Sequence, residues 1–173
     1  MLKIDVHTHI LPEKLPDFHK RKVPGGERFV QIEHQAPGSG RARMMINGSL
    51  FREIESNSWN VEARLHECDA AGVGVQVLST VPVLFSYWAE PDPALELARY
   101  LNDHIAEVVA AHPARFAGLG TIPMQSPDLA IRELERCVRD LGLSGVEIGS
   151  NVNGTNLSPP GAFRKSGSLS GRM

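Results

Sequence analysis

Cysteine is scarce, and that narrows the class of protein first. The 173 residues hold Cys68 and Cys137 and no other, without CxxC spacing. A disulfide scaffold and a cysteine-built zinc knuckle are therefore not expected; reduced thiols in a cytoplasmic protein are. Basic excess is missing as well: 18 Lys and Arg against 20 Asp and Glu leave a formal charge of −2. A nucleic-acid surface needs a basic footprint. No apolar run approaches the ~20 residues of a bilayer span. Asp5, His7 and His9 interrupt the first ten residues, where the apolar stretch of a signal peptide would begin. Neither GxGxxG after the first strand nor GxxxxGK[ST] occurs, so nucleotide-binding folds lose their main support. The expectation is a globular chain with no nucleic-acid and no membrane partner.

What is present is a cadence. LKIDVH (2–7) reads as a short strand. Residues 12–58 are rich in Pro, Gly and charge. They contain the β-like pieces FVQIEH (29–34), ARMMI (42–46) and LFREIE (50–55), the last two flanking Asn47-Gly48, a strong hairpin-turn signal. This stretch reads as a small β-insertion after strand 1. From Asn60 the period changes. Asn60 is placed to cap a helix carrying Val61, Leu65 and Cys68, which Gly72 ends. VGVQVLST (73–80) is an apolar strand. A helix capped by Asp92, with Pro93 in its first turn, follows, with Leu97, Leu101, Ile105 and Val108 as its stripe. FAGLGTIP (116–123) is a strand. Ser126-Pro127 opens a helix with Leu134, Cys137, Val138 and Leu141 apolar, ending at Gly142, and GVEIGS (145–150) is a fourth strand. Apolar strands alternating with helices predict an α/β fold of about four parallel βα units with helices over the sheet. Residues 1–150 form this unit. Residues 151–173, rich in Ser, Gly and Pro, read as a disordered or divergent tail.

His7 and His9 lie in IDVHTHI. Residues two apart on a strand point to one side, so Asp5, His7 and His9 are expected on one face and Ile4, Val6 and Thr8 on the other. Two imidazoles on one face can reach one metal ion, with Asp5 behind to orient a ligand. The competing reading is a polar strand end, and two ligands alone do not complete a catalytic zinc site. His19 and His34 in the insertion, and His66, His104 and His112 on helices, read as surface or capping residues. Arg52, on these grounds alone, reads as a solvated hairpin arginine. The loop from Thr80 to Tyr87 is expected at the mouth of the fold. Phe85, Tyr87 and Trp88 there either wall a cleft or an interface, or pack against the core.

The segments IDVHTHILP, LFREIESNSW, LSTVPVLFSYWAEP, GLGTIPMQ and GVEIG together resemble the 2-amino-3-carboxymuconate-6-semialdehyde decarboxylase family of the amidohydrolase superfamily, over about residues 1–155. HxH marks only the superfamily; STVPVLFSYW is specific to the decarboxylase branch. The resemblance implies the first half of a (β/α)8 TIM-type barrel and one catalytic Zn2+. It implies non-oxidative decarboxylation of 2-amino-3-carboxymuconate 6-semialdehyde in tryptophan (kynurenine) catabolism. It places the first two metal ligands on His7 and His9 and a substrate-carboxylate arginine on Arg52, with Phe51 lining the same pocket. A bidentate guanidinium suits that task.

The family's remaining metal ligands, two histidines and an aspartate on later strands, have no counterpart here, and no catalytic acid or base is identified. After GVEIGSNVNGTNLS the family would continue into another helix; this chain reads PPGAFRKSGSLSGRM. The expectation is a truncated chain, with an incomplete zinc site, inactive alone. It would take a small-molecule carboxylate as substrate and form a homodimer or pair with a full-length subunit. The alternatives are another amidohydrolase-superfamily decarboxylase or hydrolase, or a non-catalytic fragment that binds a full-length subunit.

Overall fold

The computed structural model describes residues 1–36 and 38–157. The chain runs β1 (Ile4–His9), β2 (Gln31–His34), β3 (Arg41–Ile46), β4 (Ser49–Glu55), α1 (Val61–Ala71), β5 (Val75–Ser79), α2 (Pro91–Ala111), β6 (Phe116–Gly120), α3 (Pro127–Arg139), β7 (Gly145–Val146), β8 (Asn151–Val152) and β9 (Thr155–Asn156). Strands β1, β5, β6 and β7 form one parallel sheet in that order. Each is joined to the next through a helix, except that the β2–β4 insertion precedes α1. This is the predicted α/β framework, part of a (β/α) barrel, with β1 and β7 as its edges. No described helix is long and apolar enough to cross a membrane.

The local signals act largely as expected. The Asn60 side chain accepts from the Ala63 N–H at 2.8 Å, and Gly72 closes α1 in the left-handed region at φ 66°. Asn47 and Gly48, both at positive φ, turn the β3–β4 hairpin as a two-residue loop. The hairpin's outer face carries the Arg43–Glu53 and Arg41–Glu55 pairs. Its inner face sets Met44 and Ile54 into a cluster with Phe18, Phe29, Leu97 and Leu101, so the insertion packs onto α2. On the helix side of the sheet, Leu78 and Phe116 meet Ile105, Val108, Cys137 and Leu143.

Four elements depart from expectation. The cap of α2 is Glu90, not Asp92, with Pro91 in the first turn. Both prolines suit a helix start, and the earlier one takes it because Asp92 is itself compatible with the first turn. β7 ends at Val146 rather than at residue 150, as the chain after Glu147 turns toward the loop that follows β5. α3 does not bury Leu134 or Val138, which are 36% and 48% exposed; it buries Ala130, Glu133 and Cys137. We expect Val138→Lys to change the unfolding free energy by less than about 0.5 kcal/mol in urea denaturation, as at other exposed positions. Finally, residues 151–157, read as tail, include the β8–β9 hairpin, turned at Asn153 (φ 50°) and Gly154 (φ 82°). The rest of that stretch, 158–173, lies outside the described residues.

His104 on α2 offers a pH-dependent contribution. Burial lowers its pKa, outweighing Glu107 and a backbone hydrogen bond at Leu11, and its Nε2 is buried with no partner. The folded chain resists a proton that the unfolded chain accepts below the ordinary histidine range. Stability should therefore fall as pH drops through about 6.5. His104→Gln should flatten that part of the profile in pH-dependent thermal melts.

Candidate metal and substrate site

The C-terminal ends of parallel strands are where barrels of this kind gather their chemistry. Here that end collects His7 and His9 from β1, Ser79 at the end of β5 with Thr80 after it, Thr121 after β6 and Glu147 after β7. The His7 and His9 rings stand edge to face with centroids 5.2 Å apart. His7 is exposed and His9 half-buried. His9 Nδ1 lies 3.0 Å from Ser79 Oγ, and Ser79 Oγ donates to the Thr8 carbonyl at 3.2 Å. Glu147 Oε2 is 3.9 Å from His9 Nδ1, beyond hydrogen-bond length, and is buried with no hydrogen-bond partner. Burial lowers the His9 pKa. The Glu147 carboxylate and a Thr80 backbone contact pull it upward, and His7 and Arg64 push it down. With the net shift downward, His9 is neutral near neutral pH, the form a metal needs.

Asp5 does not share this face. A β-bulge falls between Asp5 and Thr8: Asp5 pairs with Gln76 and Thr8 with Leu78, so β1 spends one residue more than β5. Asp5 lies by Gln76, whose amide meets Arg64 of α1, on the helix side of the sheet. Its Oδ1 accepts from the His7 backbone N–H at 3.3 Å, so it holds the bulge rather than a ring. The bulge restores His7 and His9 to the side of Ser79. Arg64, 8% exposed, braces the strand end from behind, donating to the carbonyls of His9 (2.5 Å) and Asn57 (2.7 Å).

Arg52 and Phe51 sit apart on β4. Both are exposed, with the Arg52 guanidinium 5.9 Å from the Phe51 ring centroid. Among the described residues Arg52 makes no ion pair, and no hydrogen bond, ion pair or ring contact joins either residue to the histidines. By strand alternation Arg52 falls on the side of Ile54, toward the body of the protein, not on that of Glu53 and Glu55. The aromatic loop divides. Trp88 goes to the insertion, with Phe29 at 4.8 Å and the Arg28 guanidinium at 4.0 Å. Phe85 stacks on Tyr87, whose hydroxyl accepts from the Gly149 N–H at 3.1 Å and whose carbonyl accepts from Asn153 Nδ2 at 2.8 Å. These contacts tie the loop after β7 to the loop after β5.

The donor set fits a metal in part. His7 and His9 present two imidazoles to one region, with His9 Nδ1 in contact with Ser79 Oγ. Among the described residues no group of three or more His, Cys, Asp or Glu is placed to hold an ion. Two imidazoles are fewer than the three protein ligands a catalytic zinc takes as a rule. Ser79 and Glu147 were not singled out in the sequence. Their signal was a polar residue closing an otherwise apolar strand, in VQVLS and GVE.

A parallel βα sheet with paired histidines at its C-terminal end is the arrangement of an amidohydrolase-type scaffold. The amidohydrolase family model matches residues 4–166, and the chain belongs to that family. It is 53% identical to the 2-amino-3-carboxymuconate-6-semialdehyde decarboxylase of Dictyostelium discoideum, over 94% of this chain and 44% of the relative. It is 42% identical to the γ-resorcylate decarboxylase of Polaromonas sp., over 77% of this chain and 39% of the relative. Among solved structures, the Polaromonas dihydroxybenzoic acid decarboxylase, with bound manganese and the inhibitor 2-nitroresorcinol, superposes with a TM-score of 0.56 at 28% identity. That match covers 84% of this chain and 37% of the other. The chain thus spans less than half the length of these relatives.

Proposed function

We propose that the chain carries the N-terminal metal-holding part of a non-oxidative decarboxylase, with zinc as the metal and 2-amino-3-carboxymuconate 6-semialdehyde as the substrate. The observation that carries this reading is the His7–His9 pair, 5.2 Å apart at the C-terminal end of the first strand of a parallel sheet. The 53% identity to a relative of that name supports the substrate. His7 and His9 would hold the metal, which would supply Lewis-acid chemistry there. Arg52, free of carboxylate partners among the described residues, offers its fork to a substrate carboxylate, with Phe51 beside it. In the reaction the bond from carbon to the carboxylate breaks and CO2 leaves. The carbon that keeps the electron pair takes up a proton. With two ligands of its own, the chain works as part of a larger assembly, a homodimer or a pair with a full-length subunit. Its setting is cytoplasmic tryptophan catabolism, consistent with two free, buried cysteines.

The similarity to γ-resorcylate decarboxylase favours a second reading, in which the substrate is a dihydroxybenzoate. The test is a full-length chimera in which residues 1–157 replace the matching part of the Dictyostelium relative. It is assayed on the muconate semialdehyde, on γ-resorcylate and on an aryl ester. Turnover of the muconate substrate, lost with zinc and regained on its return, is expected. Turnover of γ-resorcylate instead selects the second reading, and ester hydrolysis without CO2 release contradicts both.

A further inference from the structure

We propose that Ser79 and Glu147 are positioning residues that hold His9 in its Nδ1–H tautomer, so that the Nε2 lone pair is the one presented to the metal. The inference rests on the reading of His9 as a ligand and adds to it which nitrogen binds and what decides that.

A neutral imidazole carries one N–H, and its partner groups decide which nitrogen holds it. Ser79 Oγ touches two groups, the Thr8 carbonyl at 3.2 Å and His9 Nδ1 at 3.0 Å. A carbonyl only accepts, and a serine has a single hydroxyl proton. With that proton spent on Thr8, Ser79 Oγ faces His9 as an acceptor, and Nδ1 must donate. Glu147 biases the ring in the same direction. Its Oε2 lies 3.9 Å from the same nitrogen, is buried and has no donor of its own. A carboxylate there repels a lone pair on Nδ1 and attracts an N–H. A buried acceptor left without a partner is otherwise costly. The backbone that carries the carboxylate is fixed: the Glu147 N–H donates to the Gly120 carbonyl at 2.8 Å, and, two residues on, the Gly149 N–H donates to Tyr87 Oη at 3.1 Å. An added Cβ at Gly149 would come within 3.1 Å of the Tyr87 ring, so this close approach uses glycine. The ends of β1, β5 and β7 therefore meet on one nitrogen of one ring. Ligating histidines are commonly held this way through the nitrogen that does not bind.

The experiment is a long-range proton–nitrogen correlation spectrum of the nitrogen-labelled 173-residue chain without metal, above the histidine titration range. His7, exposed and without a ring hydrogen bond among the described residues, is the internal reference. His9 should show the Nδ1–H tautomer as its main form, while His7 shows a water-like ratio. Glu147→Gln and Ser79→Ala should each raise the Nε2–H fraction of His9 by about fivefold or more, with the backbone amide spectrum otherwise kept. A wild-type His9 in the Nε2–H form overturns the proposal, and an unchanged ratio in either variant overturns the role of that residue. Zinc is then added. It should shift His9 Nε2, and Glu147→Gln should weaken that binding by about tenfold or more. Zinc binding at His9 Nδ1 overturns the proposal. An Nδ1–H ring that takes up no zinc upholds the tautomer control and contradicts the metal function, so the two failures read differently.

Discussion

Glu133→Ala should destabilise the chain by about 3–5 kcal/mol, the range for removing one partner of a buried charged pair. Glu133 is fully buried on α3 and is the hub of a network across three elements. It accepts from Asn102 Nδ2 at 2.8 Å, Arg99 Nε at 3.1 Å and Arg136 Nη2 at 2.8 Å. Asn102, also fully buried, accepts from the Thr121 N–H at 2.7 Å and donates to the Thr121 carbonyl at 2.9 Å. Alanine would leave one of the two Asn102 Nδ2 protons and part of the Arg136 guanidinium without acceptors, the other Nδ2 proton keeping the Thr121 carbonyl. Arg136 would keep only Asp103, at 2.6 Å, as an acid partner. Glu133→Gln keeps the shape and should cost less. The comparison is the free energy of urea unfolding, and a loss under about 1 kcal/mol for alanine would show the network to be dispensable. The consequence reaches the site, because Thr121 follows β6 at the end of the sheet where the histidines stand.

The second large effect is expected at the histidines. His7→Ala and His9→Ala should each abolish zinc retention by the chimera after dialysis, measured as metal per chain by atomic spectroscopy. A single imidazole cannot replace a pair in a site that needs several ligands. His34→Ala should leave the metal content unchanged, since His34 Nε2 contacts the Glu13 carbonyl at 2.7 Å and its ring packs on Trp59. Decarboxylation should vanish with the metal in both ligand variants. Retained zinc in His9→Ala would remove the ligand assignment.

Much of the framework was legible because its signals are local. Asn47-Gly48 and the Asn60…Gly72 frame each state a conformation that neighbouring residues do not contest. The parallel order of β1, β5, β6 and β7 followed from apolar strands alternating with helices. What escaped depended on contacts distant in sequence. Strict alternation placed Asp5 with the histidines, and only the pairing of β1 with β5 discloses the extra residue that sends Asp5 to Gln76 and the helices. Apolar periodicity favoured Leu134, Cys137, Val138 and Leu141 on α3; Cys137 is buried, but Leu134 and Val138 are not, and a further buried position belongs to Glu133, which is satisfied in part by groups on α2. Ser79 and Glu147 acquire meaning only when the ends of β5 and β7 reach His9. Family resemblance alone pointed to Arg52 as a substrate-carboxylate arginine, and its exposed place on β4 does not join it to the histidine pair.

The central claim is that His7 and His9 hold one metal ion together. Its most direct test is manganese titrated into the nitrogen-labelled chain, with line broadening read residue by residue. Broadening should begin at His7 and His9 together, spread to Ser79 and Glu147, and disappear in His9→Ala. Broadening centred elsewhere, for example at Glu62 on α1 and Glu107 on α2, or unchanged in His9→Ala, would mean that the pair does not hold the ion.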